Sequence, residues 1–124
     1  MNLKRVVITG LGTINPLGHN VPEFWGNLIK GVSGAGPITR FDASKFRTQF
    51  ACEVKDYDPI SYFDKKEVRK MDLYTQFGLI AAREALQDSG LDKEQENVKR
   101  IGVIWGAGIG GLQTFFEECR DFAT

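Results

Sequence analysis

Two apolar, β-branched runs, each broken by glycine, constrain this sequence more than anything else in it. Arg5-Val6-Val7-Ile8-Thr9 runs into Gly10-Leu11-Gly12, and Arg100-Ile101-Gly102-Val103-Ile104-Trp105 runs into Gly106-Ala107-Gly108-Ile109-Gly110-Gly111. Continuous runs of this kind suit strands buried on both faces, as in a parallel sheet. Such strands need helices over both faces and neighbours on both edges. Two or three strands in 124 residues make a poor sheet of that type. The expectation is therefore an α/β chain with mainly parallel strands, residues 1–124 forming a partial, truncated domain that belongs to a larger one.

The intervening sequence reads mostly as helix. Asn15-Pro16-Leu17-Gly18 marks a turn, and Pro22 suits the first turn of a helix. Phe24, Trp25, Leu28 and Ile29 then share a face, and Lys30-Gly31 is a stop signal. Residues 32–37 read as loop, and Phe50, Cys52 and Val54 alternate as a short half-buried strand. Asp64 with Glu67 makes a capping-box-like start to a helical region that includes Val68, Met71, Tyr74, Phe77 and Ala81. Asp72 can start a fresh helix inside it, and Gly90 is placed to take a left-handed cap. A polar link over residues 92–99 leads to the second apolar run. Beyond the glycines, Leu112, Phe115, Phe116, Cys119 and Phe122 make one apolar helix face, which is expected to expose apolar surface.

Charge and composition narrow the function classes. Lys plus Arg and Asp plus Glu are 16 each, for a net charge of zero. Such a chain lacks the overall basic charge of a dedicated nucleic-acid binder. Neither a signal peptide nor a membrane-length apolar run is present, so a cytoplasmic location is expected. Cys52 and Cys119 stand too far apart for a metal knuckle, and each fits an apolar core position. His19 is the only histidine and lies in a turn-rich segment, which suits turn support better than catalysis. No metal site and no catalytic residue is assigned.

Two features invite a ligand. Gly106, Gly108 and Gly111 spell G-x-G-x-x-G between a strand and a helix, the context of a dinucleotide loop. The acidic residue expected at the end of the following strand is missing, and a tight turn closely approached by other groups explains the glycines as well. Lys65, Lys66, Arg69 and Lys70 recur at i, i+1, i+4 and i+5, on one side of a helix. Such a cluster is either an ordinary solvated face or the landing surface of an acidic partner. No aromatic platform for bases accompanies it.

Taken in order, these pieces resemble a known family. Residues 5–12 with Pro16-Leu17-Gly18, Gly31-Val32-Ser33-Gly34, Phe41-Asp42, Arg69-Lys70-Met71-Asp72, Asp88-Ser89-Gly90-Leu91 and Gly108-Ile109-Gly110-Gly111-Leu112 resemble the β-ketoacyl-[acyl-carrier-protein] synthases. The similarity is closest to the synthase II branch of bacterial fatty-acid synthesis. Ala107 stands where many relatives carry Ser or Thr. The resemblance implies the front part of the N-terminal half of a thiolase-like α-β-α-β-α layered fold. It implies an enzyme that takes an acyl group from acyl carrier protein onto a cysteine and condenses it with decarboxylating malonyl-carrier protein. It further implies no metal or organic cofactor, a homodimer in the full-length enzyme, and no nucleic acid or membrane partner.

The family's catalytic Cys and His residues correspond to positions beyond Thr124, so the chain by itself is expected to be inactive. By the same resemblance, Lys65, Lys66, Arg69 and Lys70 would receive acyl carrier protein, and Ile109 would lie beside the acyl pocket. A polyketide-type ketosynthase, a small nucleotide-binding module using residues 106–111, and a docking module that ends at Thr124 are the other readings.

Overall fold

The computed structural model describes residues 3–91 and 97–124. Its elements are helix α1 (Val21–Ile29), strands β1 (Gly36–Pro37) and β2 (Phe50–Ala51), short helix α2 (Lys65–Val68), helix α3 (Leu73–Asp88) and helix α4 (Leu112–Ala123). Most of the link over residues 92–99 lies outside the described residues; its end, Val98–Arg100, is a 3-10 turn.

Helix α1 forms where its signals place it. The Asn20 side chain accepts the Glu23 N–H at 2.9 Å, and the Glu23 carboxylate accepts the His19 N–H at 2.7 Å. These bonds satisfy amides that a helix start leaves open. Gly31 ends the helix at φ 68°, its N–H bonded to the Leu28 carbonyl. The preceding Asn15–Gly18 turn closes by paired backbone bonds of 2.9 and 3.1 Å. Asn27 donates to the Leu17 carbonyl at 2.6 Å and fixes α1 against that turn.

The sheet differs from the expectation. Among the described residues it has two strands, antiparallel, pairing Gly36 with Ala51 and Pro37 with Phe50. The segment expected as loop supplies β1, while the strand expected over residues 50–54 stops at Ala51. Pro37 cannot donate to a ladder, which limits how far the pair extends. Phe50 and Cys52 are exposed.

Nor do the two apolar runs become strands. Residues 5–9 and 101–105 carry no ladder among the described residues, and Ile8 and Ile104 are 83% and 100% exposed. A strand exists only through its hydrogen-bonded neighbours. These runs border a helix, and a helix has no free backbone edge to offer.

That helix is α3, and both glycine segments pack onto it. A Cβ on Gly12 would lie 2.6 Å from Ala85 N, and one on Gly10 2.5 Å from Ser89 N, both on the helix backbone. Trp105 lies over Gly78 near the other end. Carboxylates of α3 complete the attachment. Asp88 accepts the Leu11 N–H at 2.8 Å, and Glu84 accepts the Thr13 and Val21 N–H groups, each at 2.8 Å. The buried apolar residues are few: Ala43, Phe63 and Ile80, with Gln76 among them. Around them Tyr57 meets Phe77 edge-on at 5.0 Å, and the Arg83 guanidinium lies 4.7 Å from the Phe63 ring centre.

Glu84 joins three parts of the chain, so its loss is expected to cost more than a surface change. Glu84→Ala should lower the unfolding free energy by about 2 kcal/mol, because two partly buried N–H groups lose a charged acceptor. Urea denaturation measures this; a loss below about 0.5 kcal/mol would show that water replaces the carboxylate.

Candidate functional site

The basic segment is built by a cap. Asp64 Oδ1 accepts the Lys66 and Glu67 N–H groups, both at 2.8 Å, and starts α2. The helix lasts four residues and winds out through turns in which Lys70 N bonds Glu67 O and Met71 N bonds Val68 O. The run is thus a short helix followed by a longer one, with Asp72 starting the second. Val68 turns inward while Lys65, Lys66, Arg69 and Lys70 are all exposed. None of the four is ion-paired with a described residue; the single salt bridge found there joins Arg120 to Asp121 at 3.0 Å. Among the described residues no ion pair offsets their mutual repulsion.

Ile109 is 83% exposed and lines an open groove of ≈ 530 Å³ between the start of α3, the residues after β2 and the start of α4. Met71, Phe77 and Cys52 line the same groove, with Glu53 and Glu117. The two glycines beside Ile109 are unequal. Gly108 faces open space, whereas a Cβ on Gly110 would lie 2.5 Å from the Tyr74 ring. Next to it Gly111 takes φ 65° and starts α4 without a capping side chain of its own. Asp72 lies beside this helix start: its Oδ1 accepts the Thr114 hydroxyl, and its Oδ2 would lie 2.6 Å from a Cβ on Gly111.

This arrangement bears on the nucleotide reading. The start of α4 is where a pyrophosphate would bind, and the Asp72 carboxylate lies beside it on the Thr114 hydroxyl. A second anion there would be repelled. Close approach by Tyr74 and Asp72 accounts for Gly110 and Gly111 without a ligand.

Neither cysteine takes the core position expected of it, since Cys52 and Cys119 are both exposed. Pairing ends at Ala51, so the alternation that would have turned Cys52 inward has no sheet to act on. The apolar face of α4 has no cover among the described residues. Leu112, Phe115 and Phe116 are about two-thirds exposed and Phe122 almost wholly so, as that face led us to expect. His19 is a structural tie. Its Nε2 donates to the Lys55 carbonyl at 2.7 Å, which fixes the tautomer, and its Nδ1 accepts the Tyr62 hydroxyl at 3.3 Å. No described helix is long and apolar enough to cross a membrane.

Comparison with known proteins places this geometry in a family. The model of the beta-ketoacyl synthase N-terminal domain matches residues 3–122. The chain belongs to the beta-ketoacyl synthases. It is 52% identical over 112 residues to the 3-oxoacyl-[acyl-carrier-protein] synthase 2 of Coxiella burnetii, covering 90% of this chain and 27% of that protein. For the synthase 2 of Vibrio harveyi the identity is 49% over the same shares. The chain thus spans about a quarter of the length of the curated relatives it matches. Among solved structures it resembles the ishigamide ketosynthase/chain length factor, with TM-score 0.63 and 40% identity over 71% of this chain and 22% of that one. It also resembles the AntDE:AntF complex (apo), a type II PKS acyl-carrier protein with its ketosynthase bound to the hexaketide. The TM-score there is 0.72, at 27% identity over 95% of this chain and 30% of that one. These neighbours support a thiolase-like fold.

Sequence reasoning missed two parts of the site. Asp72 was legible as a helix start, but nothing in its spacing shows its carboxylate reaching α4. Gln76 was not singled out, although it is the buried polar centre: it accepts the Tyr57 hydroxyl at 2.7 Å and donates to the Met71 carbonyl at 2.9 Å. Burial pushes the Tyr57 phenol above its ordinary value, with Tyr62 and then Asp58 adding to the rise. A raised phenol pKa favours the folded state fully below the unfolded value near 10.0. That contribution disappears as pH climbs through the raised value. Unfolding free energy should therefore fall above about pH 10, and Tyr57→Phe should remove this part of the decline. Denaturation across that range measures it, and an identical decline in Tyr57→Phe would assign the loss to other groups.

Proposed function

We propose that this chain is the N-terminal portion of a 3-oxoacyl-[acyl-carrier-protein] synthase of the synthase 2 type. In that reading the intact enzyme is a cytoplasmic homodimer with layered α-β-α-β-α architecture. It condenses an acyl thioester with malonyl-[acyl-carrier-protein] in fatty-acid elongation. Half-identity to synthases of that name across nearly all of this chain carries the reading. The carbon–carbon bond would form when malonyl decarboxylation leaves a carbanion that attacks the acyl thioester carbonyl and expels the thiolate. The Cys and His residues for these steps would lie outside this chain, which by itself should show no condensation.

Two local roles follow from the surfaces described. Lys65, Lys66, Arg69 and Lys70 would receive the acyl carrier protein. Four exposed cations with no ion-pair partner among the described residues gain from an acidic surface, which relieves their repulsion and is steered toward them. Ile109 would lie beside the acyl chain, since an exposed apolar side chain over an open groove can cover hydrocarbon. Replacing Lys66, Arg69 and Lys70 together by Glu in the intact enzyme should weaken carrier-protein binding at least about ten-fold. Unchanged affinity in titration calorimetry would remove that assignment. Ile109→Phe should narrow the range of acyl lengths accepted, read by elongation assays across chain lengths; an unchanged range would return Ile109 to ordinary packing.

A second reading, a polyketide-type ketosynthase, is supported by one structural neighbour, the type II PKS complex. Competing saturated acyl and poly-β-keto thioesters on the intact enzyme separates the two, because only the fatty-acid type should prefer the saturated chain.

A further inference from the structure

We infer that Asp72 is a positioning residue for acyl-chain selection, acting by clamping the C-terminal end of the loop that carries Ile109. The inference rests on the proposed place of Ile109 beside the acyl chain. Asp72 has the backbone of an N-cap residue at the start of α3, at φ −65° and ψ 158°, yet its side chain makes no capping bond to that helix. An aspartate at this position ordinarily bonds the amides of its own first turn, as Asp64 does for α2. Here the carboxylate turns instead to the start of α4, where Oδ1 accepts the Thr114 hydroxyl and Oδ2 packs on Gly111.

Negative charge at a helix start is favoured by the exposed N–H groups there. Gly111 has no side chain to supply it, and its left-handed backbone holds the turn that brings Asp72 close. Tyr74, two positions along the same helix, packs on Gly110. Asp72 and the first turn of α3 therefore grip Gly110, Gly111 and Thr114, whereas a Cβ on Gly106 or Gly108 would meet nothing within 4 Å. Motion of Ile109 is confined to the free side of the loop. Chains too short to press on Ile109 are unaffected by the clamp, whereas longer ones must displace that side chain against it.

The test uses the intact synthase and carrier-protein substrates with short and long acyl chains. Removing the clamp should raise the long-to-short ratio of kcat/KM by about three-fold or more. Asp72→Ala and Thr114→Val delete the same bond from opposite ends, so both should raise the ratio, and the double variant should exceed neither. Asp72→Asn keeps an acceptor oxygen and should recover most of the wild-type ratio. Thr114→Val keeps the test decisive if Asp72→Ala fails to fold. A ratio that is unchanged or lowered in soluble Thr114→Val would overturn the inference, as would a uniform fall for all lengths. Ile109→Phe is measured alongside. If it narrows the range while the clamp variants leave the ratio fixed, the clamp alone is wrong. If it too has no effect, the reading of Ile109 fails and takes the clamp with it.

Discussion

The carboxylates along α3 hold the rest of the chain in place. Asp72, Glu84 and Asp88 lie near its start, its middle and its end, and each reaches a different segment. Glu84 bridges the Thr13 amide and the first amide of α1, so α1 cannot shift without breaking a charge-assisted bond. Asp88 holds Leu11, and Asp72 holds the opening of α4. Few apolar side chains are buried among the described residues, so these polar attachments are prominent in how the segments meet.

Close approach is the second condition, and it explains the glycines better than flexibility does. Gly10 and Gly12 lie against the backbone of α3 at distances where any Cβ would collide. The amides of Leu11 and Thr13 reach the helix carboxylates because the residues before them carry no side chain. Glycine is thus required by contact, and a phosphate-binding role is not needed to account for it. The price is a backbone that runs beside a helix instead of beside a strand. Two segments with strand composition carry no ladder among the described residues.

Local signals were legible wherever the responsible group is near in sequence. Pro22 and Gly31 mark the bounds of α1; Asp64 starts α2, Asp72 restarts the helix, and Gly90 closes α3 at φ 65°. The apolar face of α4 was equally clear from its spacing. Signals that need a distant partner misled. Val6, Val7 and Ile8 state a preference for a sheet without saying which strands complete it, and Cys52 alternates correctly on a strand that ends one residue earlier. The site divides the same way. The basic cluster is a property of helical spacing and could be read directly, whereas the Asp72–Thr114 bond spans forty-two positions and leaves no trace in local pattern.

Asp72 also lies between the two surfaces proposed to bind carrier protein and acyl chain. Met71 alone separates it from Lys70, the last cation of the basic segment. The Met71 carbonyl is held by Gln76, and Gln76 is held by Tyr57, so the turn between α2 and α3 is anchored from both sides. A partner landing on Lys65, Lys66, Arg69 and Lys70 would load this anchored turn, and the carboxylate leaving it grips the loop beside Ile109. The exposed cations and the exposed isoleucine, which look unrelated in the sequence, thus lie on either side of a corner held by the Tyr57–Gln76–Met71 and Asp72–Thr114 bonds.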